Sequence, residues 1–166
     1  AEYQMLSALA SKFDQVVVTA EDQQQRNTAW QAGTAEKDQL VDEMHKVLTN
    51  EIDGFDTTAL EWLLSPSLGR RNVAIAYLSH TANASALTFF LYMLNHEGAF
   101  IQWHLLLGIE DLTRHLSWEQ LHVMHDQIDS YRKQVPDTTS RASKASAIVS
   151  GAGAIIRKGR TTFDCK

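Results

Sequence analysis

Hydrophobic residues recur at three- and four-residue intervals along almost the whole chain, and strand-like alternation is absent over any useful length. Over residues 3–18, Leu6, Leu9, Phe13 and Val16/Val17 share one helical face. The stretch from Thr19 to Gln31 is rich in Gln, Asn and charge, and reads as a solvated continuation of that helix or as a loop. Thr34 is placed to cap a helix running to about Asn50, with Leu40, Val41, Met44, Val47 and Leu48 facing inward. The turn at Ile52-Asp53-Gly54-Phe55-Asp56 leads to Thr58-x-x-Glu61, a capping-box pattern ahead of Leu60, Trp62, Leu63 and Leu64.

Ser65-Pro66-Ser67-Leu68-Gly69 breaks the pattern, and the most apolar segments follow, at 70–83, 85–96 and 99–107. They are too uniformly apolar for surface helices and are expected at the centre of the fold. Ser117-x-x-Gln120 is a second capping box, opening a helix to about Gln134. After Pro136-Asp137, Thr138 or Thr139 starts a last helix rich in Ala, Ser and Gly, weakened at Gly151 and Gly153 by roughly 1 kcal/mol each relative to Ala. Residues 72–95 contain no Asp, Glu, Lys or Arg, a near-spanning length. Their polar middle, Ser79 to Ser85, would cost several kcal/mol in hydrocarbon, so two buried helices with a polar seam are expected rather than a membrane span. The expected fold is therefore all-α: a single compact domain of about six to eight helices, an acidic body over 1–136 and a basic helical arm over 137–166.

Composition adds little until charge is mapped along the chain. Apolar content of 44% and charged content of 21% are ordinary for a globular protein. The single cysteine, Cys165, cannot form an internal bridge, which favours a reducing compartment. The opening Ala-Glu-Tyr-Gln lacks the basic and apolar regions of a signal peptide, so a soluble protein of the cytoplasm, the cell interior or a virion is expected. Residues 1–126 carry seven Lys/Arg against seventeen Asp/Glu, whereas residues 127–166 carry eight against three. An acidic body with a basic, small-residue end suits binding to something negative, another copy of the chain included.

The basic residues carry the leading functional expectation. Arg70 and Arg71 sit at a helix start, Arg132 and Lys133 at a helix end, and Arg141, Lys144, Arg157, Lys158 and Arg160 follow among Ser, Thr and Gly. Lys and Arg neutralise phosphate charge while hydroxyls and backbone N–H groups donate to phosphate oxygens, so this mixture suits an RNA or DNA backbone. Base readout is not expected, because Tyr131 and Phe163 are too few aromatics in this region for a stacking platform. The bland reading is that these charges solvate a terminal helix or dock on the acidic body of the same molecule. A third reading makes the segment an assembly arm, with Ala147, Ile148, Ala154, Ile155 and Ile156 as apolar anchors on a neighbouring copy.

Five of the seven histidines fall between His96 and His125, and Glu119, His122 and His125 form E-x-x-H-x-x-H on one helical face. Those three could present an oxygen and two nitrogens to a metal ion, with His80 or His104 as a further ligand. A di-iron bundle needs the motif twice, and it occurs once. The structural alternative is that these histidines cap helices, pair with Asp126 or Asp111, or fill polar gaps. No nucleophile elbow, Walker A or dinucleotide fingerprint occurs. Trp62, Trp103 and Trp118 read as core, and Trp30 as a contact residue in a polar stretch.

Together these features predict a non-enzymatic, self-assembling helical protein of nucleocapsid or coat type, contacting nucleic-acid backbone without sequence preference. No cofactor is expected. The competing readings are a metal-dependent helical-bundle enzyme and an adaptor or inhibitor that binds one protein partner.

Overall fold

A computed structural model describes residues 1–16, 23–48, 52 and 54–163, with side chains placed outside 23–32 and 160–163. Val17 and Cys165, and the side chains of Trp30 and Arg160, lie outside what the structure describes. Among the described residues there are eight α-helices and no strand, as the hydrophobic pattern predicts. No helix is long and apolar enough to cross a membrane. The contacts gather into two compact units, residues 1–80 and 81–166.

The first unit contains α1 (Glu2–Gln15), α2 (Gln23–Leu48), α3 (Asp56–Leu63) and α4 (Leu68–His80). α4 touches the other three. Every residue from Asn72 to Ser79 is buried, which explains the uncharged run beginning there. α1 and α4 meet at Gly69, where a Cβ would overlap the carbonyl of Ala10. The Asp14 side chain of α1 fixes that approach by accepting from the Gly69 N–H at 2.8 Å and from the Ser67 hydroxyl. Ser67 Oγ in turn accepts from the Arg70 N–H at 3.0 Å, so serine and aspartate together satisfy the first orphan donors of α4.

Two helix starts differ from the sequence expectation. α2 begins by Gln23 and runs unbroken through Thr34, so Thr34 is an interior residue and not a cap. Glutamine and alanine propagate a helix nearly as well as any residue, and the run up to Gln31 supplies them. α3 begins at Asp56, two residues before the Thr58 capping-box position, and Phe55 at its N-cap has no side-chain cap. Phe55 is buried with ring centroids 5.3 Å from Trp62 and 4.8 Å from Tyr77, both edge-on. Aromatic packing, with the Gly54 turn at φ +71° ahead of it, sets this helix start in place of capping chemistry.

The second unit contains a 3₁₀ turn at Ala84–Ala86, α5 (Leu87–Leu94), α6 (Ala99–Leu112), a 3₁₀ turn at Thr113–His115, α7 (Trp118–Arg132) and α8 (Ser140–Phe163). The second capping box forms as expected: Ser117 Oγ accepts from the Gln120 N–H at 3.1 Å, and the Ser117 N–H donates to Gln120 Oε1 at 2.9 Å. Thr139 begins α8, its Oγ1 accepting from the Ala142 N–H at 3.2 Å. The C-terminal segment does not stand out as an arm over 140–156. Ala142, Ala145, Ile148, Ala152 and Ile156 are buried, at spacings of three and four, and α8 packs along α7 and α6.

Glycine geometry generates a paired prediction. Gly69→Ala should destabilise by about 2 kcal/mol or more, because the obstacle is backbone and overpacking cannot relax cheaply. Gly151→Ala meets nothing within 4 Å and should stabilise by roughly 0.5–1 kcal/mol through helix propensity. Urea midpoints of the two variants should move in opposite directions.

Candidate functional site

Most of the basic residues singled out in the sequence are engaged inside their own unit. Arg71 donates from Nη1 to the Ser65 carbonyl at 2.6 Å. Arg132 and Lys133, one turn beyond Asp129, both close on its carboxylate, at 2.6 Å from Nη2 and 2.7 Å from Nζ. Lys133 and then Arg132 hold the Asp129 carboxyl well below its usual value, at about 2. Lys144 on α8 reaches Glu110 on α6 at 3.1 Å and lies over the Trp103 ring at 5.9 Å.

Arg141 joins a polar junction built around Gln102. Gln102 Nε2 donates to the carbonyls of Leu94 at 3.0 Å and Glu97 at 2.9 Å, taking up acceptors at the end of α5. Its Oε1 accepts from the Tyr131 hydroxyl of α7 at 2.9 Å and from Arg141 Nη1 of α8. Both donors and both acceptor sites of the amide are used. Burial raises the Tyr131 phenol above its usual range, and the Arg141 charge opposes that rise.

Arg70, Arg157 and Lys158 are exposed. Arg70 covers the Trp62 ring with its guanidinium carbon 5.2 Å from the centroid. Arg157 and Lys158 lie on the last turns of α8 for which side chains are described, and the helix continues through Arg160. The structure therefore separates the positions that look alike in sequence. Arg132 and Lys133 close on Asp129 at the end of α7, Arg141 and Lys144 tie α8 to α6, and Arg157 and Lys158 face outward near the end of α8.

The histidine cluster does not converge. Among the described residues, no three His, Cys, Asp or Glu side chains are placed to hold a metal ion. Glu119 points to solvent, the His122 ring stands edge-on to Trp118 at 5.0 Å, and His125 Nδ1 pairs with Asp126 Oδ1 at 3.1 Å. His104 tilts against Phe100 at 4.7 Å, and His80 is exposed in the other unit.

Trp118 is the residue that sequence reasoning misplaced. It was expected in the core, and it is 42% exposed. Its six-membered ring lies against Gly159 of α8, so close that a Cβ there would overlap Cζ3 and come within 2.6 Å of Cη2. His125 lies near Gly153 at ordinary contact distance, its Nε2 3.8 Å from where a Cβ would stand, with Arg157 Nη1 at 3.4 Å from that point. Gly159, which weakens α8 as a helix, thus admits an α7 side chain. The contact brings an exposed indole beside the Arg157-Lys158-Gly159-Arg160 run, across forty residues of chain that no local motif links.

Comparison with family models, with curated proteins and with solved structures gave no match.

Two predictions follow from this wiring. Asp129 titrates at about 2 when folded against 3.8 as a reference, so its ion pairs contribute stability above about pH 4 that is lost as pH falls through 2. Thermal midpoints of the wild type and Asp129→Asn should differ at pH 5 and converge near pH 2. Gln102→Leu strands Tyr131, Arg141 and two carbonyls, and should cost roughly 2–4 kcal/mol by urea denaturation.

Proposed function

We propose that this chain is a non-enzymatic helical protein that self-assembles and contacts a nucleic-acid backbone, as a nucleocapsid- or coat-type subunit does. The observation that carries the reading is the outward-facing positive end of α8, Arg157 and Lys158, with Arg160 next in the same helix. Lys and Arg on one helix end gather phosphates by charge alone, which binds polyanions without reading bases. The self-assembly part draws on apolar side chains left on the surface of each unit: Met5 and Leu64 in the first, Phe89, Tyr92 and Val123 in the second. Phe89 and Tyr92 are three residues apart on α5, and Tyr92 stacks on His96 at 4.2 Å, so that helix presents an aromatic face outward.

Light scattering coupled to size exclusion, with absorbance at 260 and 280 nm, tests both parts. Assemblies larger than a monomer, carrying nucleic-acid absorbance at low salt and losing it at high salt, are expected. Charge reversal of Arg157, Lys158 and Arg160 to Glu should abolish nucleic-acid retention with helicity unchanged by circular dichroism. Three phosphate contacts to a single strand give a slope of about −2 in log affinity against log salt. Retention of nucleic acid by the triple variant at wild-type levels would contradict the proposal.

A further inference from the structure

We infer that Trp118 and the end of α8 form one binding surface for single-stranded nucleic acid, with a base stacked on the indole and the adjoining phosphates on Arg157 and Lys158. This rests on the polyanion-binding reading and goes further, because it names a strand form and an aromatic contact. Charge alone would favour a duplex at least as well, since a duplex carries the denser line of phosphates. An exposed aromatic beside the charge changes that preference, because only an unpaired base can leave its neighbours to stack on a side chain.

The geometry supplies the parts. Gly159 holds the edge of the Trp118 ring against α8, and His122 braces it from its own helix with ring centroids 5.0 Å apart and planes at 67°. The indole is thereby fixed in place while 42% of the residue remains open to solvent. Lys158 precedes Gly159 and Arg157 is one residue further back, so their Cα atoms lie within about 3 Å of Gly159 along the helix axis. Arg157, whose Nη1 lies beside Gly153, and Lys158 are long enough to swing to the phosphates flanking a base seated on the ring.

Acidic neighbours give the site a direction. Glu119, exposed beside Trp118, and Asp126, exposed one turn beyond His122, repel phosphate from the outer side of α7. The backbone of a bound strand is left with the α8 side, where Arg157 and Lys158 stand. The glycine matters as much as the charges: any side chain at 159 would push the indole away from α8 and part the aromatic from the cations.

The test uses the full chain and two fluorescently labelled probes, a twelve-residue oligothymidylate and its duplex with oligodeoxyadenylate, followed by anisotropy at one salt concentration. The single strand should bind at least tenfold tighter than the duplex. Trp118→Ala should weaken single-strand binding by roughly tenfold and duplex binding by less than twofold, and Trp118→Phe should restore most of the loss. Arg157→Glu should weaken both probes. Duplex binding serves as the control for an intact basic end, since a variant that unfolds α8 loses both probes alike. Equal binding of the two probes by the wild type, or an equal loss of both in Trp118→Ala, overturns the stacking surface and leaves the polyanion reading standing. Failure of the wild type to bind either probe overturns both.

Discussion

The amide of Gln102 is the constraint on which the second unit depends. It closes the end of α5 by donating to two carbonyls, and it accepts from Tyr131 of α7 and Arg141 of α8. Four helices therefore share one fully satisfied side chain. A half-buried polar group with every partner in place favours one arrangement, because each alternative packing strands several donors or acceptors at once. Arg141 anchors the first turn of α8, and the Lys144–Glu110 pair holds the next. From that anchored start α8 runs along α7 with its small residues inward, and its far end is delivered to Trp118.

The first unit solves the same problem by different means. Gly69 brings α4 onto the backbone of α1, and Asp14 and Ser67 satisfy the helix start at that contact. In both units a glycine marks the closest approach and a polar side chain from one helix finishes the end of another. Charge is used locally in each case. Arg132, Lys133, Arg141 and Lys144 neutralise or bridge partners within the second unit, so the basic count of the C-terminal region overstates what is offered to a ligand. Arg157 and Lys158, exposed near the end of α8, carry the proposed contact.

The all-helical class, the break at Ser65-Pro66-Ser67, the Ser117 capping box and the start of α8 at Thr139 were legible because each rests on near neighbours in the chain. Leucine spacing and a serine three residues before a glutamine are local signals. Thr34 and Thr58 also carried the right residues for caps, and helix propagation from Gln23 and burial of Phe55 overrode them. Glu119, His122 and His125 share a helical face on paper, yet Glu119 faces solvent, His122 packs on Trp118 and His125 pairs with Asp126. Gln102 gave no sign at all, since a lone glutamine in an apolar helix looks like any surface position. Trp118 and Gly159 meet only because α7 and α8 are antiparallel, and no spacing within either helix records that.

The central claim is that α8 is an integral helix of the second unit that presents its far end, rather than a loose basic tail. Hydrogen exchange of the intact protein tests it directly, by comparing amides of residues 142–156 with those of 121–131 in α7. Packing on α7 and α6 predicts comparable protection in the two stretches, with both exchanging in one cooperative opening. Exchange of 142–156 within seconds, while α7 stays protected, would contradict it and return the segment to the status of an arm.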